Sequence, residues 1–215
     1  MVKSSGQNRD KATEQRILDA AHTVFIRSGT SGARTQQIAE EAGVNKALLH
    51  YYFRSKDQLA RAVFRRAAAE LFPAVMQVLA SDAQLEEKVR RVVDIELSQL
   101  LKHPYLPGYI LSEINHDPER VLQFFEAAAG LRPEKIGARL LATIRSQIKA
   151  EVEAGKMLPI AAEDFIVNLL SLCIFPFAAR TMFSALLGQD EKQFRRFIEH
   201  RRNDLPDFFM RGIRP

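Results

Sequence analysis

The side chains best suited to chemistry lie between Thr35 and Lys56. In Asn45-Lys-Ala-Leu-Leu-His-Tyr-Tyr52, helical spacing gathers Asn45, Lys46, His50 and Tyr51, with Tyr52 at the margin, on a polar-aromatic face opposite Leu49. Amide, ammonium, imidazole and phenol groups on one exposed helix face can reach base edges in a major groove. Thr35 and Gln36 open the preceding helix. There a hydroxyl, an amide and unpaired backbone N–H groups can hold a phosphate. Lys56 opens the following helix and can neutralise a phosphate as a point charge. Lys46 and Tyr51 are the favoured base readers. Phe53, by contrast, reads as a core aromatic, and Tyr52 fits either role.

Other chemistry finds little footing. No Ser/His/Asp set, phosphate-cradling loop or paired cysteines can be picked out. Glu113 and His116 form a single Glu-x-x-His pair, whereas helical di-metal sites use two. The lone Cys173 lies in an apolar run that would keep its thiol protonated. The expectation is therefore a non-enzyme with no catalytic residue, metal or cofactor.

Positioning the Thr35–Lys56 face requires two short helices and a tight turn. Ala39 is small enough for close helix approach, Gly43 tolerates positive φ in the turn, and Leu49 reaches back into the core. Ile38, Ala42, Val44, Leu48 and Phe53 complete the seal. Thr35 is the expected N-cap of a helix over 36–42. Asn45 caps one to Tyr52, and Ser55 caps a long helix from Lys56 towards Leu79. Ahead of them, Ile17, Leu18, Ala21, Val24 and Phe25 form one apolar stripe over 11–28, which Gly29 ends. Residues 1–10 read as a disordered arm.

Charge follows the same division. Residues 1–66 hold 12 Lys and Arg against 6 Asp and Glu, a net +6, while the remainder carries −1 of the total +5. A basic head on a near-neutral body suits a polyanionic partner. A solvated arm with no partner would show the same charge. Met1–Lys11 lacks the apolar core of a signal peptide. The apolar run 165–179 is shorter than the roughly 20 residues a spanning helix needs. The expected setting is the bacterial cytoplasm, without a membrane.

Thr35-x-x-Ile38-Ala39-x-x-Ala42-Gly43-Val44, joined to Tyr52-Phe53 and Ser55-Lys56-x-x-Leu59, resembles the phrase of the tetracycline-repressor (TetR) family of bacterial regulators. With Ala20-Ala21, Phe25 and Gly29, the likeness covers about residues 11–59. It implies DNA contacts for Thr35, Asn45, Lys46, Ala47, His50, Tyr51, Tyr52 and Lys56. Two positions depart from the family pattern. His50 stands where tyrosine is common, and Ala47 stands where glycine is frequent. An imidazole can still donate to a phosphate, with the pH dependence that side chain brings.

The resemblance implies an all-α fold of about nine to ten helices. A three-helix DNA-binding domain would occupy 11–56, and a ligand-binding and dimerisation domain 57–215. Helices are expected at 82–102, 105–115, 117–129, 133–154, 162–187 and 190–211. By the same likeness the last two pack against their copies in a homodimer; burial within one chain is the alternative account of their apolar faces. Arg195, Arg196, Arg201 and Arg202 are expected to face water or carboxylates. A small-molecule effector of undefined identity would occupy a cavity drawn from Phe72, Met76, Tyr105, Tyr109, Phe124, Phe125 and Cys173, with Glu113 and His116 as polar groups. The proline-broken segment 103–108 is the expected joint between body and head. The implied function is a repressor released from a palindromic operator by that effector. An activator, a co-repressor-dependent regulator or a helical enzyme with a DNA-docking head are the alternatives.

Overall fold

A computed structural model of the chain describes the backbone of residues 3–129 and 133–215, and the side chains of residues 10–70, 72–122, 125, 126, 135 and 137–215. Twelve helices and no strand occur among the described residues. They are α1 (Lys3–Gly32), α2 (Thr35–Glu41), α3 (Lys46–Tyr52), α4 (Lys56–Leu71), α5 (Pro73–Ala80) and α6 (Leu85–Lys102). α7 (Leu106–His116), α8 (Arg120–Ala129), α9 (Pro133–Glu153), α10 (Ala162–Ala178), α11 (Arg180–Leu187) and α12 (Glu191–Arg211) follow.

Local chemistry sets the ends of the head helices. The Asn45 carboxamide oxygen accepts the Leu48 N–H at 2.7 Å, and the Ser55 hydroxyl accepts the Gln58 N–H at 3.1 Å. Gly43, at φ +63°, turns the chain out of α2, and the Val44 N–H returns to the Ala39 carbonyl at 2.9 Å. The expected Thr35 cap is displaced by one residue. Thr35 is already helical, and the Gln37 side-chain oxygen reaches back to accept the Arg34 N–H at 3.1 Å. α1 starts at Lys3, so the segment assigned to an arm contributes helical backbone from that residue on. Its run is broken at Gly29, where φ is +65°.

Two long helices expected from patterning are each divided in two, which raises the count from about ten to twelve. Pro73 has no N–H and its ring crowds the Ala69 carbonyl, so the helix from Lys56 stops at Leu71. Pro73 then begins α5, where its missing donor costs little. Likewise, Pro176 weakens the helix that was expected to run over 162–187. α10 and α11 meet at Ala179 with a bend of 71°. The carbonyl that Pro176 leaves without a helical donor belongs to Leu172. It accepts Nε and Nη2 of Arg201 from α12 at 3.2 and 3.0 Å. Arg201 is thus turned inward as a structural donor instead of facing water or a carboxylate.

α6 is the central helix of the body, packed by α5, α9, α10 and α12. Its inner face buries Val89, Val92, Val93, Leu97 and Leu100, and with them Lys88 and Glu96. Lys88 is satisfied. Its ammonium donates to the Leu79 carbonyl and to Gln147 Oε1, both at 2.8 Å, while burial lowers its pKa. α1, α4 and α7 join head to body, with Phe25 stacked on Tyr109 at 6.5 Å between ring centres. No single described helix is long and apolar enough to cross a membrane.

Candidate nucleic-acid interface and ligand cavity

The head exposes the face that the spacing predicts. Leu49 is fully buried with Ile38 and Ala39, which fixes the rotation of α3. That rotation leaves Asn45, Lys46, Ala47, His50 and Tyr51 exposed, Tyr51 at 76%. Asn45 spends its oxygen on the cap and keeps its amide NH2 for an outside acceptor. Tyr52 is half-buried. Its hydroxyl donates to Asp10 at 3.0 Å and its ring meets Tyr51 edge-on at 5.3 Å, so it props the more exposed phenol. Gln36 is exposed and donates to Glu40 at 2.8 Å, while Thr35 is half-buried beside it.

Lys56 differs from the expectation of a free phosphate contact. Its ammonium donates to the carbonyls of Ser31 and Ala33, both at 3.1 Å, and so pins the α1–α2 connection to the start of α4. Those carbonyls are left over where α1 ends, and an ammonium can satisfy both. Two exposed cations were passed over: Arg34 just before α2 and Arg54 just after α3. Neither forms an ion pair among the described residues. The available signal was their position, flanking the two helices of the motif on both sides.

The body holds an apolar cavity of about 260 Å³ between α6, α7, α8, α10 and the α4–α5 corner. Phe72 and Phe125, two of the residues named from the sequence, line it together with Leu100, Ile110, Ile114 and Ile174. Other expected lining residues serve elsewhere. Tyr109 is buried against Phe25, and Met76 is half-buried against the core. Tyr105 lies under the Arg180 guanidinium at 4.7 Å, Glu113 pairs with Arg120 at 2.6 Å, and His116 is exposed. Cys173 is buried beside the cavity without lining it, its thiol pKa raised by burial. The Phe124 side chain lies outside the described residues.

Among the described residues the polar side chain in the wall is Glu96, which lies outside the residues expected from the sequence. Its side chain is 1% exposed, and neither carboxylate oxygen has a hydrogen-bond partner. Removal from water disfavours the charged form and pushes its pKa up to about 7. The signal was legible: Val89, Val93, Glu96 and Leu100 recur at helical spacing, and a glutamate interrupts that apolar stripe.

Cavity and head are tied by one buried guanidinium. Arg120, at the start of α8, donates to Glu113 of α7 at 2.6 Å, to Asp117 at 3.3 Å and to Asp57 of α4 at 3.4 Å. Asp57 also pairs with Arg61 at 2.8 Å and sits one residue from Lys56. α7 and α8 supply cavity walls, so this cluster links those walls to the first turn of α4 and the helix-turn-helix.

A three-helix head with a sealed Ile38–Ala39–Leu49 seam and an outward polar-aromatic helix defines a DNA-binding transcription regulator of the helix-turn-helix class. Residues 17–63 match the family described as bacterial regulatory proteins, tetR family. The HTH-type transcriptional repressor NicS of Pseudomonas putida is 26% identical over 83% of this chain and 82% of its own length. The regulator RutR of Escherichia coli K12 is also 26% identical, over 100% of this chain and 97% of its own. Among solved structures, the TetR family regulator PfmR of Thermus thermophilus superposes with a TM-score of 0.63 at 18% identity, covering 91% of this chain and 97% of that one. Residues 17–63 thus carry the DNA-binding head of the tetR family, and the chain as a whole is similar to named HTH-type regulators and shares the fold of a TetR family structure.

Proposed function

We propose that this protein is a homodimeric repressor that leaves a palindromic operator when a small molecule fills the cavity lined by Phe72, Phe125 and Glu96. The observation that carries the reading is the Arg120 cluster, because it joins cavity walls to α4. A ligand that separates α7 from α8 must either strain those ion pairs or drag Asp57 with them. Either response moves the first turn of α4 and the spacing of two paired heads. Operator contact would come from Asn45, Lys46, Ala47, His50 and Tyr51, with Thr35, Gln36, Tyr52 and Lys56 setting their frame. The repressor sign draws support from relatives named as repressors, such as NicS. The setting that fits is the bacterial cytoplasm.

Dimerisation is assigned to α10 and α12. Along α10, Asp164, Val167, Asn168, Ser171 and Phe175 are exposed at three- and four-residue intervals, and Phe208 of α12 is 61% exposed beside them. Exposed Val167, Phe175 and Phe208 set among small and polar side chains on neighbouring helices suit a second copy of the same face. The bend at Ala179 takes α11 out of line, so the contact narrows from the expected 162–187 to α10.

Selection of bound duplexes from a random pool tests the proposal. Two half-sites about one helical turn apart are expected, and failure to enrich any palindrome would refute the reading. Charging the face with Phe175→Glu and Phe208→Glu together should give a monomer in sedimentation and abolish operator binding; a dimer that persists would reject this interface.

A further inference from the structure

We propose that the cavity is built for a compact, mostly apolar molecule carrying one cationic amine, with the amine seated on the Glu96 carboxylate. This deepens the effector reading above and rests on it. The cavity of about 260 Å³ falls just below the roughly 300–1,000 Å³ typical of drug-sized sites, which limits the occupant to a small molecule. The rest of the described wall is hydrocarbon and aromatic, as at Phe72, Ile114 and Phe125. Glu96 interrupts that wall with two oxygens that nothing in the described protein satisfies.

An unpaired buried carboxyl is destabilising, and natural interiors retain few of them. Here α4, α5, α9, α10 and α12 pack on α6, and no described residue of theirs brings a compensating cation to the carboxyl. The Cys173 thiol on α10 feels the Glu96 charge, but it is no cation. Arg201 of α12 is held by the Leu172 carbonyl and does not bond to Glu96. Lys88 of α6 is committed to Leu79 and Gln147, while Asp94 and Lys102 are exposed. The described residues supply no counter-charge, which leaves an occupant of the cavity to bring one. An anionic ligand would face a like charge with no counter-ion. A neutral alcohol could donate one hydrogen bond but would leave the carboxylate charge uncompensated. An ammonium group supplies both donor and charge, and the apolar wall takes the rest of the molecule.

The binding step balances simply. The amine arrives protonated, the Glu96 carboxyl gives its proton to solvent, and an ion pair forms in the cavity. Because burial places this carboxyl near pKa 7, about half a proton should leave per site at pH 7.

The test uses the full-length protein with a graded series of phenylalkylamines, from benzylamine to 4-phenylbutylamine, together with their matched alcohols and carboxylates. Calorimetry in buffers of different ionisation enthalpy reads affinity and proton release, and a labelled operator reads DNA release. At least one amine should bind tenfold or more tightly than its alcohol and carboxylate, with proton release near one half. Glu96→Gln should erase both the tenfold preference and the proton release while leaving alcohol binding within about twofold. Equal affinity for amine and alcohol, or a preference for carboxylates, would overturn the amine assignment. If the alcohols alone bind and free the operator, the effector reading survives without this ligand class. If amines bind without affecting the operator, the ligand class survives and effector control falls. Failure of every series member to bind removes both.

Discussion

Replacing Glu96 with glutamine should make the ligand-free protein more stable, and more so as pH rises. The folded-state pKa of this carboxyl is raised from 4.5 to about 7. In the unfolded chain the group ionises near its ordinary value, so between those two pKa values the unfolded state binds fewer protons than the folded one. Stability conferred by the neutral carboxyl is fully present below about pH 4.5 and is lost progressively as pH rises towards 7 and beyond. A shift of this size corresponds to roughly 3 kcal/mol at its full extent. Because part of the loss has already occurred at pH 5, about 2–3 kcal/mol should separate pH 5 from pH 8. Glutamine is close in shape and does not titrate, so this pH-dependent component should vanish. For a chain of this length the difference corresponds to about 5–10 °C in melting temperature at pH 8. Thermal melts of both proteins at fixed concentration, taken from pH 5 to pH 8, supply the comparison; holding concentration fixed matters because a dimer's melting temperature depends on it. Parallel curves with no widening gap would show that Glu96 is solvated or paired in solution, and the argument from its burial would fail.

Other substitutions separate the roles within the head and the joint. Lys56→Ala removes donors to the Ser31 and Ala33 carbonyls. It should cost about 1 kcal/mol of stability and weaken binding to all DNA sequences alike, as read by melts and by titration on unrelated duplexes. Tyr51→Ala should leave the melting temperature unchanged, because the side chain is 76% exposed, but should alter the sequence recovered in operator selection. Arg120→Ala strands the buried Glu113 carboxylate and should destabilise by about 3 kcal/mol. In Arg120→Lys, which keeps the charge without the three-way fork, ligand should still bind while operator release is blunted in a fluorescence titration.

What the sequence disclosed and what it hid divide along the range of the interactions. The Asn45 and Ser55 caps were legible because each bonds an N–H three residues on, as was the Gly43 turn, and so was the burial of Leu49. Thr35 was misplaced by one position because Gln37, equally local, competes for the same end of α2. The break at Pro73 was present in the sequence as a proline, and the helix expected from Lys56 towards Leu79 ran through it. Lys56 looked like a free cation because its partners lie 23 and 25 residues away, across a turn whose path only the fold reveals. The cavity was the hardest part. Choosing aromatics by type found Phe72 and Phe125 but also gathered Tyr105 and Tyr109, whose partners, Arg180 and Phe25, come from distant helices. A misfit charge in an apolar stripe, Glu96, was a better guide than ring content.

Cys173, Ile174 and Phe175 are three consecutive residues of α10 with three different surroundings. The first is sealed in the core beside Glu96, the second lines the cavity, and the third is 55% exposed on the outer face. A substitution that reshapes the cavity from this side would also disturb the packing behind it and the outer surface beside it. Leu111, Ile114, Val121 and Phe125, on α7 and α8, line the same space without lying on that outer stripe. On the proposed effector role, substitutions on α7 and α8 can retune the cavity alone, whereas those on α10 act on core, cavity and outer face at once.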